Sequence, residues 1–195
     1  MKLPSLKTIL SHYEETLCDK LFSYELNHKW QANLVFYRED FCHLVGLHHV
    51  YGRDKRYLGI NGYRRVVSGE ITVESIKKHN MKSYGFIKDR LLYFDCIHEL
   101  LTGGTIYRFY ADRVKPHTVI VADMVMRHDG RGMLLHLFLR KENDLANQYA
   151  PVSFIVKSPK DKNQNQFIAG QEAKIVTGFS VTKTTKAAEA LARRM

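Results

Sequence analysis

The sequence predicts an α+β fold in which N-terminal helices pack on a curved antiparallel sheet of about five strands. The apolar residues repeat at helical spacing up to Gly103-Gly104 and at a period of two beyond it. The turn-forming run His128-Asp129-Gly130-Arg131-Gly132 joins two of the period-two segments as a hairpin, which makes neighbours in that series antiparallel. No repeat or linker divides the chain. It therefore reads as a single domain over 1–195, with a helical front over 1–102, a sheet over 103–182 and a basic C-terminal helix over 184–195.

Each element has a local signal. Leu6, Ile9, Leu10, Tyr13, Leu17 and Leu21 fall on one helical face, predicting an amphipathic helix over 5–22. Trp30 to Tyr37 reads as a strand. Asp40 is placed to cap a short helix that carries His43 in its first turn and ends near Gly52. Thr72 has the position of an N-cap, with Ile71 and Ile76 as a hydrophobic staple. Ser83 opens a longer helix through Tyr84, Ile87, Leu91, Phe94 and Leu101. Beyond Gly104, the branched and aromatic residues of 105–113, 117–126, 132–140, 149–158 and 173–182 predict strands. The polar run Ser158 to Glu172 is too hydrophilic to bury and reads as a mobile loop beside the sheet.

Composition narrows the function classes. There are 30 Lys and Arg against 20 Asp and Glu, a formal net charge of +10, which suits an anionic partner and most economically RNA. Hydrophobic residues make up 45% of the chain, enough for a core. Cys18, Cys42 and Cys96 are odd in number, widely spaced and without a CxxC, so they read as reduced thiols of a cytoplasmic protein. No apolar run approaches the roughly 20 residues that span a bilayer, and the opening residues lack the apolar centre of a secretion signal. The basic residues are dispersed rather than set beside an amphipathic anchor, so no membrane partner is expected.

Phe36 to His49 sets a histidine between apolar neighbours directly after a strand-like run. His43 there reads either as a proton handler or as a hydrogen-bonded core residue. His48 and His49 fall in the last turn of the same helix, where a helix terminus favours them. His43 and His48 are five apart, not one turn, and no HExxH occurs, so no metal and no cofactor is expected. Cys42 and His43 point about 100° apart on a helix and do not pair. Thr102-Gly103-Gly104-Thr105 lacks the lysine of a phosphate loop. In the strands, alternation sends Met133, Leu135, Leu137 and Leu139 to a core and His136, Phe138 and Arg140 the other way. Tyr149, Ser153 and Lys157, with Arg108 and Tyr110, fall on similarly mixed faces. Those faces read either as a surface for phosphates and bases or as the wet side of an antiparallel sheet.

Phe36 with Phe41-Cys42-His43-Leu44-Val45-Gly46-Leu47, Ile87-Lys88-Asp89-Arg90 and Pro151-Val152-Ser153-Phe154 resemble the phage barnase/EndoU/colicin/RelE-like (PBECR) nucleases, fourth subfamily, over roughly residues 30 to 160. The resemblance implies helices before a curved antiparallel sheet, and a metal-independent endoribonuclease of a phage or other mobile element, a toxin or effector in the bacterial cytoplasm. An antitoxin, an immunity protein or a host defence complex is the implied protein partner. The expected chemistry is attack of an RNA 2'-hydroxyl on the neighbouring phosphate. His43 serves as acid or base, His136 as its partner, Arg140 as stabiliser of the charged phosphorane and Ser153 as a positioning donor. Arg53, Lys55, Arg56, Arg64, Arg65, Lys88, Arg90, Arg108 and Lys157 would draw in the backbone, and Tyr149 would stack a base. The other class that fits is a catalytically inactive module that binds nucleic acid or inhibits a host defence by charge.

Overall fold

Ser5 starts the first helix: its hydroxyl accepts a hydrogen bond from the Thr8 N–H at 3.1 Å, satisfying one of the donors a helix start leaves open. That helix, α1 (Leu6–Thr16), buries Leu6, Ile9, Leu10 and Tyr13. The computed structural model describes residues 3–143 and 147–183, so the basic helix expected over 184–195 lies outside the described residues. Within these limits the chain forms two compact units that interleave in sequence, one from residues 3–18 and 37–95 and the other from 19–36, 96–143 and 147–183.

The first unit is helical. After α1 come α2 (Asp40–Leu44), α3 (Leu47–Tyr51), α4 (Gly59–Ser68), α5 (Val73–His79) and α6 (Met81–Leu92). Tyr13, Phe41 and Phe94 form its aromatic centre, with ring centroids 5.3 to 6.0 Å apart in tilted and edge-on geometry. The Tyr13 hydroxyl donates to the Tyr37 carbonyl at 2.6 Å. Thr72 is the N-cap of α5, where its hydroxyl and that of Ser75 bond each other's backbone N–H in a reciprocal capping box. Asn80, rather than Ser83, caps α6, its side-chain oxygen accepting from the Ser83 N–H at 3.0 Å.

Three boundaries differ from the sequence expectation. The first helix stops at Thr16, whose hydroxyl bonds the His12 carbonyl at 2.6 Å; the left-handed Asp19 (φ 56°) then turns the chain out. The run beyond is a strand in which Phe22, Tyr24 and Leu26 alternate as buried residues. The long helix expected from Ser83 to Leu101 ends at Leu92 and is followed by a 3₁₀ turn and α7 (Ile97–Gly103). Residues 59–68, to which the sequence expectation assigned no element, form α4, which buries Tyr63 and Val66.

Among the described residues the second unit holds eight strands rather than about five: β1 (Lys20–Leu26), β2 (Trp30–Val35), β3 (Thr105–Arg108), β4 (Met124–Gly130), β5 (Met133–Asn143), β6 (Gln148–Lys157), β7 (Glu172–Lys174) and β8 (Val176–Lys183). Their order is β7-β3-β4-β5-β6-β2-β1-β8. The β3-β4-β5-β6 neighbours are antiparallel as expected, while β2 and β6 pair parallel. Because β7 and β8 are one extended stretch interrupted only at Ile175 yet occupy opposite edges, the sheet curls until it is nearly closed. The predicted hairpin lies between β4 and β5, where Arg131 and Gly132 both take positive φ (50° and 75°), the geometry of a type I′ turn. The strand expected over 117–126 forms only from Met124; Val119 and Val121 are exposed and join no strand.

Both faces of the sheet are covered at β4 and β5. On one, α7 lies against β4 and β5, and the Tyr24 hydroxyl donates to the Leu101 carbonyl at 3.0 Å. On the other, the face expected to be mixed and wet, Phe109, Val114, Val125, Phe138 and Phe167 form a second buried cluster. Phe167 comes from the polar run 158–172, which therefore caps the sheet instead of standing off it. The alternation in β6 also breaks. Phe138 pairs with Ser153 but Leu139 pairs with Pro151, so a bulge at Val152 turns Pro151 toward the core side that Leu139 shares.

Candidate active site

Gly46 positions the site. It separates α2 from α3 with φ +86°, a left-handed conformation that side chains rarely adopt. A Cβ there would sit 2.7 Å from Ile87 Cγ2 and 3.4 Å from the Arg90 side chain, so only glycine lets this turn lie so close to α6. The break changes the direction of the chain between His43 and His48. On one continuous helix, residues five apart would point about 140° from each other. Across the break the His43 and His48 rings stack, with centroids 4.3 Å apart and planes 18° from parallel. His49 joins the row, 4.0 Å from His48.

The three rings differ in environment. His43 and His49 are exposed and His48 is half-buried, with no hydrogen-bond partner on its Nδ1. Burial first, then the neighbouring His43, His49 and Arg90, pushes the His48 pKa down to about 3. Burial and Arg90 lower that of His49 as well. Both rings are thus held neutral near pH 7.

Arg90, from α6, supplies the fixed charge. It is 9% exposed, and its Nη1 is buried without a hydrogen-bond partner. Burial alone pushes its pKa down, to about 10, which still leaves it a cation at neutral pH. Among the described residues no carboxylate pairs with it. Burying an unpaired ion costs several kcal/mol, so such an arginine is expected where an anion is to be received. A phosphate fits the planar donor fork of a guanidinium.

The other residues singled out in the sequence are distributed over both units. In the helical unit Arg53, Lys55, Arg56, Arg64 and Lys88 are exposed and Arg65 is half-buried; Arg56 pairs with Asp54 at 2.7 Å, and Arg65 with Glu70. In the sheet unit His136 is fully buried, neither ring nitrogen makes a well-formed hydrogen bond, and its ring centroid lies 5.4 Å from that of Phe167. Burial, with Arg127 and Lys157 nearby, lowers its pKa to about 4. Lys157 donates to the Asn163 carbonyl at 2.8 Å and lies over the Phe167 ring. Ser153 is half-buried beside Phe138, Arg140 is exposed four residues along β5 from His136, and Arg108 is exposed over Tyr110. Tyr149 is 6% exposed, so its ring faces are spent on packing rather than open to a base. The structure therefore brings His43 together with His48 and His49, on both of which Arg90 acts, whereas His136, the expected partner, is sealed beneath Phe167.

Sequence reasoning did not assemble His48 and His49 with His43, because it assumed one helix through Gly46. The signal available was Gly46 itself, a residue that ends helices as readily as Gly52 does. Cys42, the neighbour of His43, is buried with its thiol pKa pushed up to about 12, and so stays protonated.

A family model described as phage-Barnase-EndoU-ColicinE5/D-RelE like nuclease4 matches residues 5–188. No curated protein and no solved structure matches the chain. The match extends over both compact units and includes each of the three motifs that carried the resemblance. The chain belongs to the phage-Barnase-EndoU-ColicinE5/D-RelE like nuclease4 family.

Proposed function

We propose that this nuclease is an endoribonuclease whose active site is the row His43, His48 and His49 beside Arg90. The observation that carries this reading is the buried, unpaired guanidinium of Arg90 next to imidazoles held neutral. In the proposed reaction Arg90 grips the scissile phosphate and stabilises the extra negative charge of the phosphorane. His43, at the exposed end of the row, takes the proton of the 2'-hydroxyl as its oxygen attacks phosphorus, and a neighbouring imidazole, protonated as phosphate enters, returns a proton to the departing 5'-oxygen. The P–O5' bond breaks as the P–O2' bond forms, leaving a 2',3'-cyclic phosphate and a 5'-hydroxyl. The formal charge of +10 supports a polyanionic substrate. In this role the protein acts as a toxin or effector of a phage or other mobile element, with an inhibitor protein as its partner.

The test is cleavage of a defined RNA by the purified protein in chelator, with the ends of the products identified. Cyclic phosphate ends, and loss of cutting when the single 2'-hydroxyl at the cut site is replaced by hydrogen, are the expected results. Continued cutting of that deoxy substrate would rule out the proposed nucleophile.

A further inference from the structure

Beside the histidine row stands a second constellation that the proposed reaction does not use. The rings of Tyr51 and Tyr57 stack at 4.2 Å and are within 7° of parallel, and His79 lies 4.6 Å from Tyr51. With one face of Tyr57 filled by Tyr51, the guanidinium carbons of Arg65 and Arg56 lie over the ring at 5.0 and 5.7 Å. Arg56 is 72% exposed, and its surface pair with Asp54 is one that an incoming group displaces at small cost.

The position of this stack is fixed by the elements that build the site. Tyr51 is three residues after His48 on α3, and residues so spaced are neighbours on one helix face, about 5–6 Å apart at Cβ. Tyr57 is seated by Gly62: a Cβ at Gly62 would lie 2.2 Å from the Tyr57 carbonyl oxygen and 2.8 Å from Cys42 Sγ, so the loop, α4 and α2 meet at van der Waals distance. Cys42 is the residue before His43. The aromatic pair is thus tied to both helices that carry the histidines.

We propose that Tyr57, backed by Tyr51, is a stacking platform for the nucleobase next to the scissile phosphate. The base takes the place of the Arg56 guanidinium on the ring, and Arg56, Arg65 and the exposed Arg53 turn to the flanking phosphates. A stacked ring accepts any base, so the platform sets where the strand lies rather than which sequence is read. The proposal rests on the phosphate site at Arg90.

The experiment is equilibrium binding, by fluorescence anisotropy, of a single-stranded RNA about four nucleotides long, so short that sliding by one nucleotide forfeits a phosphate contact, methylated on its 2'-oxygens so that it is not cut, with one abasic nucleotide walked along it. Wild-type protein is expected to lose about tenfold in affinity when the abasic nucleotide occupies one position, and little elsewhere. Tyr57→Ala should bind the intact oligomer about tenfold more weakly and show no further loss at that position, while Tyr57→Phe, which keeps the ring, binds as the wild type does. Equal loss at every abasic position, measured on the wild type and so independent of any folding defect, overturns the platform. So does a folded Tyr57→Ala of unchanged affinity. If Arg90→Gln also binds as tightly as the wild type, the phosphate site fails and the platform falls with it; weakening confined to Arg90→Gln overturns the platform alone.

Discussion

At the scale of single residues, the burial and pairing of a side chain separate chemistry from packing. Arg90 has no carboxylate among the described residues, so replacing it with methionine removes a desolvated charge and no ion pair. Arg90→Met is expected to hold or raise the melting temperature while cleavage falls about 100-fold or more; an arginine kept for stability would give the reverse, a lower melting point with activity retained in the folded fraction. His43 is exposed, which removes the alternative of a core histidine. His43→Asn should therefore leave the unfolding free energy within about 0.5 kcal/mol of the wild type and lower the rate about 100-fold, measured on one preparation. His136 is the opposite case. Its pKa near 4 lies below the ordinary 6.5, so the unfolded chain binds the proton first and stability is lost as pH falls from about 6.5 toward 4. That gap corresponds to on the order of 3 kcal/mol. His48 and His49 add to the same acid slope, so His136→Phe should flatten the dependence of denaturation midpoint on pH without abolishing it. An unchanged slope would show that His136 is protonated without cost in the folded state.

At the scale of elements, the site depends on one interrupted helix. An alanine at position 46 must take a left-handed φ and push against Ile87, strain on the order of 1–3 kcal/mol. Gly46→Ala is expected to lower the unfolding free energy by about that amount and to reduce cleavage further than the folded fraction accounts for, because the His43–His48 stack and the seat of Arg90 both lean on this turn. Loss of stability with full specific activity would separate the turn from the site. The same turn explains what the sequence did and did not disclose. The caps at Thr72 and the type I′ hairpin at Arg131-Gly132 were legible because they depend on local hydrogen bonds and backbone angles. The alternation of Phe22, Tyr24 and Leu26 was present too, but Leu17 and Leu21 extended the helical period into it, and the short overlap favoured the longer pattern. The burial of the His136 face was not legible, since it arises when Phe167 folds back from a segment rich in Asn, Gln and Lys. Arg90 could be read as a phosphate contact from its charge, yet its value as a candidate lies in burial without a partner, which only the packing of α6 against Gly46 reveals.

At the scale of the whole molecule, charge and chemistry make different demands on the nucleic acid, and this difference can be measured. The excess of ten positive charges acts on phosphates, which RNA and DNA share, whereas the proposed nucleophile is the 2'-hydroxyl, which DNA lacks. Single-stranded RNA and DNA of one sequence should therefore bind within about tenfold of each other, with affinity falling steeply as salt rises. If about four phosphates are neutralised, the logarithm of the binding constant should fall with the logarithm of salt with a slope of about −3, since each single-strand phosphate contributes about −0.7. Arg90→Gln, which removes one contact, should make that slope shallower by about 0.7 for both nucleic acids. Cutting should be confined to the RNA. A flat salt response would assign the positive charge to solubility or to a protein partner, and cleavage of the DNA at a comparable rate would leave the histidine row as a phosphodiesterase site that uses water instead of the neighbouring hydroxyl.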